Sequence, residues 1–161
     1  MAAQEAANWA LACIRPAPPG SPPFSTLTDD QILALHFLFN KTLDKAVRII
    51  EQGGVYRLVA EPSRREVFQV MGNPKENQHY VCFPEHFCSC HAFFFDIVSR
   101  GHQICCKHQL AARLAAALQF RQSHSLDRGS WRRHLQAPLD PEEAHQMRPM
   151  LTNPDQRSLQ K

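Results

Sequence analysis

Two close pairs of soft donors stand out in the chain: Cys88 with Cys90, and Cys106 with His108. The pattern is C-x-C, fifteen residues, then C-x-H, read from "CSCHAFFFDIVSRGHQICCKH". Residues i and i+2 of an extended segment point to the same side, so Cys88 and Cys90 can aim both sulfurs at one point. Cys106 and His108 fall where a helix begins, and a single turn brings them together. Three sulfurs and one imidazole form the closed tetrahedral set preferred by structural Zn²⁺. The partial positive charge of a helix N-terminus favours thiolate at Cys106 and disfavours protonated His108. Both effects favour metal. A closed set of four leaves no position for water or substrate, so the expected chemistry is structural, with one Zn²⁺ and no catalysis. Other donors lie nearby. Cys105 adjoins Cys106 and is open as its substitute, although it points away in most backbones and reads as a buried thiol. Cys82 sits on an expected strand and reads as core. His86, His91 and His102 read as surface residues.

The elements that must position these donors follow from the patterning. The fold class is α+β. Thr28 caps a helix whose first turn carries Asp29 and Asp30 and whose stripe is Ile32, Leu35 and Phe39. In "KTLDKAVRIIEQGG", Leu43, Val47 and Ile50 share a face and Gly53-Gly54 ends the helix. The period then changes. "VYRLVA" (55–60), "EVFQVMG" (66–72) and "HYVCF" (79–83), separated by turn chemistry, predict a three-stranded antiparallel meander. "KHQLAARLAAALQF" predicts an alanine-rich amphipathic helix along Leu110, Leu114 and Leu118. Three parts result: a disordered Pro-rich leader over 1–27, a globular domain over 28–121 with the metal unit at about 79–119, and a mostly disordered basic tail over 122–161.

Bulk properties narrow the function. The chain has 161 residues, 43% hydrophobic and 20% charged, enough for one modest domain. No apolar run approaches the ~20 residues that span a bilayer. The N-terminal segment lacks a basic n-region and a long apolar stretch, so no secretory signal is expected. The six cysteines are then expected in a reducing compartment, where metal binding or burial outranks disulfides. The net charge is +3, and nine of the 18 Lys and Arg but five of the 15 Asp and Glu lie from Lys107 onward. This points toward an anionic neighbour such as nucleic acid. Arg64, Arg65, Arg100, Lys107 and Arg113 are the candidate nucleic-acid contacts. The surplus apolar residues Leu33, Phe37 and Phe95 are the candidate partner face.

The match to known proteins goes further than the ligands. "LHFLF", "RREVFQVMG", "YVC", "CSCHAFFF" and "ICCKHQLAA" resemble the SWIM-type zinc fingers of the zinc finger SWIM domain-containing protein 7 family, the SWIM subunits of the Shu complex. The likeness spans residues 29 to about 120. It implies a zinc-stapled β-β-α unit in a nuclear, non-catalytic protein. It also implies pairing with a RecA-fold, Rad51-paralogue-like partner that supports recombinase filaments on single-stranded DNA during homologous recombination repair. The chain contains no G-x-x-x-x-G-K-[ST] loop, so any ATP site is expected on that partner. Two rivals come from other classes. A stand-alone DNA-binding zinc finger regulator would need a basic recognition helix, and the last helix has few basic residues. A thiol redox enzyme would need a C-x-x-C at a βα turn, which is missing.

Overall fold

The computed structural model describes residues 2–73 and 78–119, and the backbone of 122–126. Helix α1 spans Ala2–Ala12 and buries Ala7, Ala10 and Leu11. These positions lie at i, i+3 and i+4, one helix face. This corrects the expectation of a disordered leader. Alanine has the best helix propensity, and its small side chain lets α1 lie close against its neighbours. The Pro-rich segment that follows is not helical, as its composition predicts, but it is tied down. Ala17 N–H donates to the Leu118 carbonyl at 3.1 Å. The Thr26 hydroxyl donates to the Arg15 carbonyl at 2.9 Å.

Helix α2, Asp29–Phe39, begins as expected at Thr28, in a reciprocal capping box. Gln31 N–H donates to Thr28 Oγ1 at 3.3 Å, and Thr28 N–H donates to Gln31 Oε1 at 3.0 Å. Leu35 and Phe39 are buried, whereas Ile32 is exposed, so the core-facing stripe starts one turn later than the periodicity predicts. Asn40, at φ 46°, breaks the chain between α2 and helix α3, Lys41–Glu51. Helix α3 buries Leu43, Ala46, Ile49 and Ile50. It ends at Gly53, whose φ of 67° suits a residue without Cβ.

The sheet runs in the order β4-β3-β2-β1-β5. Strands β1 (Val55–Ala60), β2 (Arg65–Met71), β3 (His79–Phe83) and β4 (Phe87–Cys88) form an antiparallel meander. The expected three-stranded meander therefore gains a fourth strand that carries a metal donor. The fifth strand, β5 (Gln122–Leu126), pairs parallel to β1. It corrects the tail assignment for those five residues. Nothing in "QSHSL" alternates hydrophobically, so the strand owes its place to the backbone edge that β1 offers. The rest of the expected tail, 127–161, lies outside the described residues.

Helix α4, Lys107–Ala117, packs against α3, α1 and the inner face of the sheet. It is more enclosed than an amphipathic helix. Leu110, Leu114 and Leu118 are buried as expected, and Ala111, Ala112 and Ala115 are fully buried as well. Between β4 and α4, Phe93–Ser99 winds as a π-helix. It closes with Arg100 N–H on the Phe95 carbonyl at 3.1 Å, an i→i+5 bond. Phe93 is buried and Phe94 packs against the core.

Candidate metal centre

Each of the four donors is placed by a local device. Cys88 ends β4, opposite Cys82 of β3. The next residue is pinned twice: Ser89 N–H donates to the Val81 carbonyl at 3.0 Å, and Val81 N–H donates to Ser89 Oγ at 3.0 Å. The chain is thereby held extended up to Cys90, whose carbonyl accepts from Phe93 N–H at 3.2 Å as the π-helix starts. Cys106 is the N-cap of α4. Gln109 N–H donates to its sulfur at 3.4 Å, and Cys106 N–H donates to Gln109 Oε1 at 3.2 Å. This is a capping box with a thiol in place of a hydroxyl. His108 sits in the first turn of the same helix, its ring against Tyr80 with centroids 4.5 Å apart.

The result is one cluster. Ligand atoms of Cys88, Cys90, Cys106 and His108 all lie within 4.8 Å of one another, and all four residues are buried. The surroundings fit a metal. His108 is only 3% exposed, yet neither Nδ1 nor Nε2 has a hydrogen-bond partner among the described residues. An unpaired buried polar group costs about 1–3 kcal/mol. Burial and then the neighbouring Lys107 pull His108 down to about 3, so the ring is neutral with a free lone pair. The thiols compete for each other's protons. Cys90 is pushed up to about 12, first by its hydrogen bond with Cys106 and then by burial, against an opposing bond with Cys88. Cys106 is raised by its hydrogen bond to Cys88 and by burial. For Cys88, the Cys106 contact acts to lower the value, but hydrogen bonds with Cys82 and Cys90 and burial together raise it. A cation would supply a partner for the buried His108 ring and take three sulfurs that burial keeps protonated.

Cys105 is buried but outside the four-donor cluster; burial pushes it up to about 11, with Arg113 opposing. His86, His91 and His102 are exposed. Sequence reasoning missed three contributors: Gln109, which fixes Cys106; Tyr80, which covers His108; and the contact of Cys82 with Cys88. The S/T/D/N preference for N-caps hides a cysteine cap, although Gln three residues on was the available signal.

No protein-family model and no solved structure matches the chain. Among curated proteins, zinc finger SWIM domain-containing protein 7 of Homo sapiens is 33% identical over 101 residues, 62% of this chain and 70% of the relative. The Danio rerio protein of the same name is 37% identical over 93 residues, 57% of this chain and 64% of the relative. A homolog from Dictyostelium discoideum is 27% identical over 92 residues. The chain belongs to the zinc finger SWIM domain-containing protein 7 family. With that membership and the Cys₃His cluster, the unit is a zinc-binding domain of the SWIM type, in which Cys88, Cys90, Cys106 and His108 are the residues that could hold the ion.

The other sequence candidates are dispersed. Leu33 and Phe37, one turn apart on α2, are 67% and 84% exposed. Phe95, 39% exposed, lies on the π-helix and stacks on His91 with centroids 4.2 Å apart. Trp9 on α1 is a further exposed aromatic that the disordered-leader reading passed over. The basic candidates occupy three elements. Arg64 and Arg65 are exposed at the β1–β2 turn, where Arg64 pairs with Glu61 at 2.9 Å. Arg100 follows the π-helix, 4.0 Å from Asp96. Lys107 and Arg113 are half-buried on α4, and Arg113 donates to Asn8 Oδ1 at 2.5 Å.

Proposed function

We propose that this chain is a non-catalytic adaptor stapled by one Zn²⁺. On this reading it pairs in the nucleus with a RecA-fold, Rad51-paralogue-like partner, as in a Shu-type complex. The pair promotes assembly of recombinase filaments on single-stranded DNA in homologous recombination repair. The observation that carries this is the sealed Cys₃His set in a chain belonging to this family. Four buried protein donors fill a tetrahedral zinc, so the metal shapes a surface and does not activate water. Two exposed apolar side chains on one face of α2, Leu33 and Phe37, supply a surface of the kind that partners cover. The stand-alone DNA-binding regulator is the weaker reading. Its recognition helix would be α4, and α4 is enclosed by the sheet and by two other helices. DNA contact is then delegated to the complex, with Arg64, Arg65 and Arg100 as peripheral phosphate contacts.

Affinity purification of the full chain from nuclease-treated nuclear extract tests the proposal. The expected result is stoichiometric recovery of a RecA-fold protein together with one zinc per chain. Recovery of no such protein, with tight sequence-selective DNA binding by the isolated chain, would replace the adaptor with the regulator.

A further inference from the structure

A fifth sulfur lies against the metal cluster. Cys82 is completely buried on β3, directly across from Cys88. Ser89 N–H bonds to the Val81 carbonyl, so the adjacent pair, Cys82 and Cys88, is a non-hydrogen-bonded cross-strand pair. Such pairs hold their Cα atoms about 4.5 Å apart with side chains close together, inside the window a disulfide needs. Both side chains are completely buried, so neither sulfur is turned out to solvent. Cys82 is not one of the four converging donors. A bond to it therefore uses up one ligand, whereas a bond between two ligands uses up two.

We infer that Cys82 and Cys88 form a redox modification site, in which a peroxide-class oxidant joins them as a disulfide and releases the zinc. The inference rests on the zinc reading above. The Cys88 sulfur, deprotonated when it ligates metal, attacks one peroxide oxygen. The O–O bond breaks, hydroxide leaves, and Cys88 becomes a sulfenic acid. The Cys82 sulfur then attacks the Cys88 sulfur; the S–S bond forms, the S–O bond breaks, and water leaves with the Cys82 proton. Two electrons pass from the sulfurs to the peroxide. Cys90, Cys106 and His108 remain, one donor short of a closed set. Access comes through β4, a two-residue strand at the sheet edge, where local opening exposes the pair. A thiol reductant restores the fourth donor.

The test uses the full chain purified with zinc. Zinc content is measured first. Hydrogen peroxide is then titrated against zinc release, and the linked peptides are mapped by mass spectrometry. The expected result is a Cys82–Cys88 link formed in step with zinc release, with zinc taken up again after reductant. Cys82→Ala should bind zinc as before but recover at least about tenfold less after the same cycle, because Cys88 runs on to irreversible acids. A chain purified without zinc would remove the zinc reading, and this inference with it. Zinc present but released with Cys82 still reduced, or with Cys90 joined to Cys106, would overturn the inference alone. Wild-type mapping decides this even where Cys82→Ala fails to fold.

Discussion

The two ends of this small core are held by different means. At the helical end, Leu35 and Phe39 of α2 and Leu43, Ala46, Ile49 and Ile50 of α3 make a dry interior with Ala7, Ala10 and Leu11 of α1. At the other end β4 has two residues, and His79, Tyr80 and Val81 of β3 are only half-buried. Phe87, Phe93 and Phe94 pack there, but the strand that carries Cys88 is short and lies at the sheet edge. The four donors occupy that place. The difference teaches that the donor set sits where a short edge strand meets a helix terminus, so a metal there would tie together two elements that pair least through backbone.

The largest break should come from the metal end. Chelation, or Cys88→Ser, should remove on the order of 10 kcal/mol, comparable with the whole stability of a typical domain. The expected outcome is loss of the cooperative melting transition and of stoichiometric zinc together. A melting curve indifferent to chelator would refute the division into two ends.

Acid sharpens the same contrast. Zinc uptake by the folded chain displaces three thiol protons, because Cys88, Cys90 and Cys106 are all raised, and none from His108, which is already neutral above about 3. Apparent affinity should therefore rise about a thousandfold per pH unit near neutrality. If the metal-free chain is unfolded, His108 has its ordinary value of 6.5 and a fourth proton joins below it. A competition titration at several pH values reads the slope. For the metal-free fold the signs are opposed. The raised thiols stabilise it fully below their ordinary 9.0, and this is lost as pH rises through their folded values. The depressed His108 leaves it stable above 6.5 and destabilises it as pH falls toward about 3.

At the helical end, smaller effects are expected, and they should ignore chelator. Leu35→Ala, at a fully buried position, should cost about 2–5 kcal/mol. Thr28→Ala, which opens the α2 capping box, should cost about 1 kcal/mol. Denaturant titration of the zinc-loaded chain measures both.

Much of this was legible where a signal is local. The donor set followed from C-x-C and C-x-H spacing, β1 and β3 from β-rich runs between turn residues, and α2 from Thr28 and its acidic first turn. What escaped depends on neighbours. Helix α1 has an alanine face with few large apolar residues, so nothing in its sequence marks burial; α4 and α2 decide it. Strand β5 is recruited by an open backbone edge. The exposure of Ile32 depends on how α2 rolls against α3. Cys82 read correctly as core, but its place opposite Cys88 needed the register of a two-residue strand.

The smallest effect on stability should fall on the feature most relevant to partners. Phe37 is 84% exposed and its neighbour Leu33 67%, so neither holds the fold together. Phe37→Ser should move stability by no more than about 0.5 kcal/mol, the usual range for surface changes, and leave zinc content untouched. If this face docks the RecA-fold protein, the same substitution should cost more than about 2 kcal/mol of binding, as truncation of a central aromatic does. That is about a thirtyfold loss of recovered partner at limiting concentration. Affinity purification of the zinc-loaded variant beside the wild type reads both quantities. Equal recovery would move the partner face away from α2, toward Trp9 or the Phe95 end of the π-helix, and leave the zinc-bearing fold as it is.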